Sequence, residues 1–125
     1  MSKLSRISTL AAGLIAAATL ATPAFADELT GTLKKIKDSG TITLGVRETS
    51  IPFSYLDDKQ QPIGYSIDLC MAIVEEVKKE LMMPTLMVKT NPVTSQTRIP
   101  LMSNGTIDME CGSTTNNLTR QKQVA

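Results

Sequence analysis

Histidine and tryptophan are absent from this chain of 125 residues, and aromatic residues make up only 3% of it. Without histidine the segment holds no Ser-His-Asp or Cys-His catalytic machine and no His-ligated metal site. So few rings do not make a base-stacking surface. A charge of one sign is missing too. Thirteen Lys and Arg stand against twelve Asp and Glu, a net charge of +1, which excludes the basic footprint of a nucleic-acid binder. No glycine-rich dinucleotide or phosphate loop is present. Asp57-Asp58 and Glu75-Glu76 read as solvated faces, not as catalytic pairs. The expectation is a chain with no catalytic residue, no metal and no cofactor. Its 42% hydrophobic and 20% charged residues fit one globular domain or part of one.

One long apolar run does occur, at the start. Ile7 to Ala21 carries no charge, follows Lys3 and Arg6, and leads through Pro23 to Ala24-Phe25-Ala26 and then Asp27-Glu28. About 15 apolar residues fall short of the ~20 that span a bilayer. Small-x-small before a charged pair is a cleavage pattern. Residues 1–26 are therefore expected to be a secretory signal removed after Ala26, with residues 27–125 in the periplasm. No Cys follows the cleavage region, so a lipid anchor is not expected. Removal takes away two cations and no carboxylate, which turns the net charge slightly negative.

In the remainder, hydrophobic spacing predicts the elements. Leu33 and Ile36 among lysines, with Gly40 behind them, suggest a short helix over 32–39. Ile42, Leu44 and Val46 alternate, predicting a buried strand over 41–46. Residues 57–62 read as a polar turn between short extended pieces. Ile67, Cys70, Val74, Val77 and Leu81 recur at steps of three and four, predicting a helix over 67–82 with Ser66 as N-cap and a Glu75–Lys79 pair on its outer face. Alternation then predicts strands over 86–90, broken by Asn91-Pro92, and over 107–111. Between them, Thr94 or Ser95 is expected to cap a short helix running to Ser103. Residues 112–117 form a polar loop, and 118–125 open another helix.

Strands separated by helices imply βαβ crossovers and a parallel sheet. Three such strands suggest an α/β lobe continued by further chain. Cys70 lies on the core face of its helix and Cys111 on the inward face of its strand. They can pair in an oxidising compartment, or remain two buried apolar thiols; the residues favour the second reading.

Ligands of open parallel sheets bind beyond the carboxyl ends of the strands. Arg47 follows the first strand, Ser95 and Arg98 the second, and Ser113, Thr115 and Arg120 the third. An arginine with small hydroxyl residues recurs at each strand end. A guanidinium fork matches a carboxylate bidentately, so three arginines suggest more than one carboxylate, or one phosphate. Surface arginines and hydroxyl-rich loops are common on any protein; the repetition at three successive strand ends is what sets these apart.

The stretches Gly45-Val46-Arg47-Glu48-Thr49-Ser50-Ile51-Pro52-Phe53-Ser54-Tyr55 and Gly64-Tyr65-Ser66-Ile67-Asp68 resemble the opening of the family-3 solute-binding proteins of ABC transporters. Thr94-Ser95-Gln96-Thr97-Arg98-Ile99-Pro100-Leu101 and the run from Glu110 to Arg120 look like their glutamate/aspartate-binding branch. The resemblance covers residues 29–125. It implies a periplasmic-binding-protein type II fold, here a partial first lobe with a parallel-sheet βαβ core, the hinge and second lobe being absent. By resemblance, Arg120 with Ser113 and Thr115 would hold a ligand's α-carboxylate, and Arg47, Ser95 and Arg98 its side-chain carboxylate. The implied partners are L-glutamate or L-aspartate and an ABC permease in the inner membrane, for a monomeric binding protein that is not an enzyme. Two alternatives stay open: an exported cyclohexadienyl-dehydratase-like enzyme, and the ligand-binding sensor domain of a signalling protein.

Overall fold

In the computed structural model, which describes residues 28–124, the alternating run Ile42, Leu44, Val46 forms β1 (Thr41–Val46). All three side chains are buried. The strand sits in the middle of a parallel sheet. β5 (Met87–Pro92) pairs with one side of it, and β6 (Met109–Cys111) with the other. A central parallel strand is covered on both faces, which is why its burial hardly alternates at the carboxyl end. Val46 is in register with both Pro92 and Cys111, so the three strands end at one level. The leader expected over 1–26 lies outside the described residues.

Helices cover this sheet. α1 (Gly31–Ser39) buries Ile36 and stops at Gly40, whose left-handed φ of 66° lets its N–H reach the Ile36 carbonyl at 2.9 Å. Lys35 pins α1 to the sheet through a 2.7 Å ion pair with Asp108, whose carboxylate also accepts the Thr43 N–H at 2.8 Å. α2 (Tyr65–Glu80) buries Ile67, Cys70 and Val74 against the sheet. It opens one turn-fraction earlier than its periodicity suggests. Gly64, not Ser66, is the N-cap residue, and Ser66 uses its hydroxyl elsewhere. On its outer face Lys78 pairs with Glu75 and Lys79 with Glu76, at i,i+3, in place of the expected Glu75–Lys79 pair. Either spacing brings charges together on a helix, and such exposed pairs contribute little.

Strand boundaries also differ from the sequence reading. β5 runs through Asn91 to Pro92 instead of breaking there. β5 pairs only with β1 among the described residues, and a proline on such an edge forfeits no ladder bond that the strand needs. β6 starts at Met109, two residues late, although Ile107 is buried as expected. Between β1 and α2 the chain builds a small antiparallel sheet from β2 (Thr49–Ser50), β3 (Ser54–Leu56) and β4 (Pro62–Ile63). Its tight turn is the polar 57–62 segment, where Asp57 Oδ1 accepts the N–H groups of Lys59 and Gln61 at 2.8 Å each. Two short helices complete the described chain, α3 (Arg98–Ser103) and α4 (Leu118–Gln121).

The cysteines correct the sequence reading more sharply. Cys70 and Cys111 form a disulfide, with Cα atoms 6.1 Å apart. Each lies on the face where the pattern put it. Because α2 packs against β6, the two core-facing sulfurs meet; a reading of either element alone sees only a buried thiol.

Candidate ligand-binding site

The level strand ends make one rim, and the chain leaving each strand carries a candidate arginine. Arg47 leaves β1. Its backbone is clasped by Ser54, which is fully buried: the Ser54 hydroxyl accepts the Arg47 N–H at 2.8 Å and donates to the Arg47 carbonyl at 3.1 Å. With the main chain fixed, the guanidinium reaches across to the loop after β5, where Nη1 donates to Ser95 Oγ at 3.0 Å.

That second loop is shaped by Thr94. Its hydroxyl accepts the N–H groups of Gln96 and Thr97 at 3.3 and 3.2 Å, which folds residues 94–97 into a turn that leads into α3. Neither expected cap fills the role: Thr97 is the N-cap residue of α3 and makes no side-chain cap bond, Thr94 shapes the turn before it, and Ser95 meets Arg47 instead. Arg98, the first residue of α3, is only 7% exposed. Its Nε and Nη1 have no hydrogen-bond partner among the described residues. The nearest carboxylate oxygen, Glu110 Oε1, is 3.9 Å from Nη1 and equally unpartnered. Burial of a cation with idle donors costs free energy unless an anion or water completes them.

The third loop leaves β6 and is held differently. Thr115 offers its carbonyl to Arg120 Nη1 at 2.7 Å, and the Asn117 side chain accepts the Arg120 N–H at 2.9 Å as the N-cap of α4. Arg120 is thus aimed by backbone and cap and stays half-buried.

The structure sorts the six candidates into groups. Arg98, Thr115 and Arg120 line a common cleft of about 580 Å³, together with Glu110, Thr114 and Asn116. The cleft also takes in Met109 and Asp108 and so extends from the rim beside β6. Arg47 and Ser95 are bonded to each other on the same rim but do not line that cleft. Ser113 is exposed on the third loop and lies outside the lining. Sequence reasoning missed Ser54, Ser66 and Glu110. Glu110 had a usable signal, being the carboxylate nearest the third strand end. The two serines had none, since a hydroxyl that holds a distant backbone has no local pattern. Among the described residues no group of three or more potential metal ligands occurs, and no helix is long and apolar enough to cross a membrane.

Comparisons with known proteins agree with this architecture. The family model described as bacterial extracellular solute-binding proteins, family 3, matches residues 42–125. The chain is 68% identical over 111 residues to the L-glutamate/L-aspartate-binding protein of Pseudomonas aeruginosa, a match covering 88% of this chain and 37% of that relative. It is 62% identical over 94 residues to the glutamate/aspartate import solute-binding protein of Salmonella typhimurium, covering 75% of this chain and 31% of the relative. Among solved structures, an ancestral amino acid-binding protein described as a precursor of cyclohexadienyl dehydratase superposes with a TM-score of 0.63 at 29% identity, over 74% of this chain and 37% of that one. The chain spans about a third of the length of the curated relatives it matches.

Proposed function

The chain belongs to the bacterial extracellular solute-binding proteins, family 3, with the α/β fold of type II periplasmic binding proteins, and from that premise we propose that it captures an acidic amino acid, L-glutamate or L-aspartate, for ABC-type import. The observation that carries this reading is Arg98: a nearly buried guanidinium with idle donors, on a strand-end rim that also holds the Arg47–Ser95 and Arg120–Thr115 pairs. Three guanidinium groups on one rim suit a ligand with two carboxylates. In this reading Arg120, with Ser113 and Thr115, takes the α-carboxylate common to all amino acids. Arg98, with Arg47 and Ser95, takes the second carboxylate. A second lobe closes over the ligand, excludes water and supplies an acid for the ammonium. The monomeric periplasmic receptor then hands its cargo to an inner-membrane permease. No bond is made or broken.

Residues 1–26 act as the export signal in this account, so the exported chain starts at Asp27. The relatives at 68% and 62% identity are named as binding proteins. The dehydratase lineage is approached at much lower identity, 29% to an ancestral amino acid-binding protein described as its precursor and 26% to an ancestral cyclohexadienyl dehydratase. Both facts favour transport over catalysis. The test is calorimetric titration of the intact protein, as its gene encodes it, with L-glutamate, L-aspartate and L-glutamine. A micromolar or tighter constant, about −8 kcal/mol or better, is expected for at least one acidic ligand. Absence of binding to both acids, or a preference for glutamine, would overturn the reading.

A further inference from the structure

Two consecutive residues at the root of the third loop are fastened to the same face of one helix. Cys111, the last residue of β6, is joined to Cys70. Gly112, the next residue, accepts a 2.7 Å hydrogen bond at its carbonyl from Ser66 Oγ. Ser66 and Cys70 are four residues apart in α2, one above the other on the helix surface. A single anchor would fix where the chain leaves the strand but leave the peptide beyond it free to turn. The second anchor, one residue on, holds the carbonyl and so fixes that rotation as well. Sideways slack is also small. A Cβ placed on Gly112 would run into Glu110 Oε1 and stand 2.9 Å from Arg47 Cγ.

The consequence is carried forward along the loop. Ser113 follows directly, and two residues later the Thr115 carbonyl receives Arg120 Nη1 at 2.7 Å. Bonded contacts therefore run from α2 through Cys111 and Gly112 toward the Arg120 guanidinium. Arg98 lies off this line, on α3 after a different strand. We infer that Ser66 and Cys70 are positioning residues for the subsite of Ser113, Thr115 and Arg120: they touch no ligand but set where its donors point. This rests on the acidic amino-acid reading above. It adds that one helix face, remote in sequence from the loop, sets the affinity for the ligand group that every amino acid shares.

The experiment uses Ser66→Ala and Ser66→Thr in the intact, disulfide-bonded protein. Calorimetric dissociation constants for glutamate and glutamine are measured at 25 °C, with melting temperatures alongside. Ser66→Ala is expected to weaken both ligands to a similar extent, by about three- to tenfold, as the loss of one net hydrogen bond implies. Ser66→Thr, which keeps the hydroxyl, should recover most of the loss. In a Cys70→Ala/Cys111→Ala background, Ser66→Ala should cost more than it does in the disulfide-bonded protein, because the remaining anchor is then gone; should that background not fold, the comparison of alanine with threonine decides. A lower melting temperature with both constants at the wild-type value would overturn the inference, as would a loss confined to glutamate. Wild-type protein that binds neither acid would overturn the acidic amino-acid reading and this inference together. Wild-type binding matched by Ser66→Ala would overturn this inference alone.

Discussion

Arg98 and Arg120 share a rim but are held by opposite means. Arg98 is 7% exposed, fixed by burial, and two of its donor nitrogens have no hydrogen-bond partner among the described residues. Arg120 is half-buried, and its direction comes from the Thr115 carbonyl and the Asn117 cap. On the proposed function, the difference separates two ways of making an anion site. At Arg98 the protein has already paid for desolvation, so an arriving carboxylate satisfies donors that are otherwise idle. At Arg120 little has been desolvated, and the contribution of the site is aim. The first design would make affinity depend on the presence of a second carboxylate. The second would make it depend on the geometry of a loop.

The loop side of this contrast depends on the disulfide, and removing it gives the largest expected effect. Cys70 and Cys111 are 41 residues apart in sequence, and a cross-link of that span contributes about 4 kcal/mol in the loop-entropy account. Chemical denaturation of Cys70→Ala/Cys111→Ala should show a loss of that order; a variant as stable as the parent would show that α2 and β6 stay together without the bond. Arg98→Met tests the buried side. It should reduce glutamate affinity by about 3 kcal/mol, since one ligand carboxylate would be left desolvated without its fork. A change below about 1 kcal/mol in calorimetry, the range of an exposed pair, would make Arg98 a structural companion of Glu110 and nothing more.

The smallest effect is expected at Asn117. Loss of its cap to the Arg120 N–H in Asn117→Ala should cost about 1 kcal/mol, read as weaker binding of glutamate and glutamine alike. An effect on glutamate alone would mean that Arg120 does not serve the shared carboxylate.

Much of the framework was legible because local pattern and tertiary role coincide. β1 is a period-2 run that lies in the centre of a sheet, and α2 is a 3.6-period run with one buried face, so β1 appears where the spacing puts it and α2 within two residues of it. Five of the six candidate residues take part either in the cleft or in the Arg47–Ser95 bond, since strand-end position follows from strand order in a parallel sheet. The unread parts are contacts between distant segments. The two-residue strands β2 and β4 carry too little pattern to announce their pairing. Ser66 looked like a cap because it opens a helix, yet its hydroxyl serves Gly112, 46 residues away. The disulfide, open as an alternative in the sequence, was disfavoured there for the same reason: each cysteine satisfied its own element, and only the packing of α2 on β6 brought the two together.

Arg98 and Arg120 have separate tasks in the proposed function, and one calorimetric comparison addresses that directly. The ratio of glutamate to glutamine affinity is measured for the intact protein and for its Arg98→Met and Arg120→Met variants. Arg98→Met should collapse the ratio, because only glutamate carries the second carboxylate, while Arg120→Met should weaken both ligands and leave the ratio near its wild-type value. A ratio that Arg98→Met leaves unchanged, or one that Arg120→Met collapses as fully, would contradict the division of the rim into two carboxylate subsites.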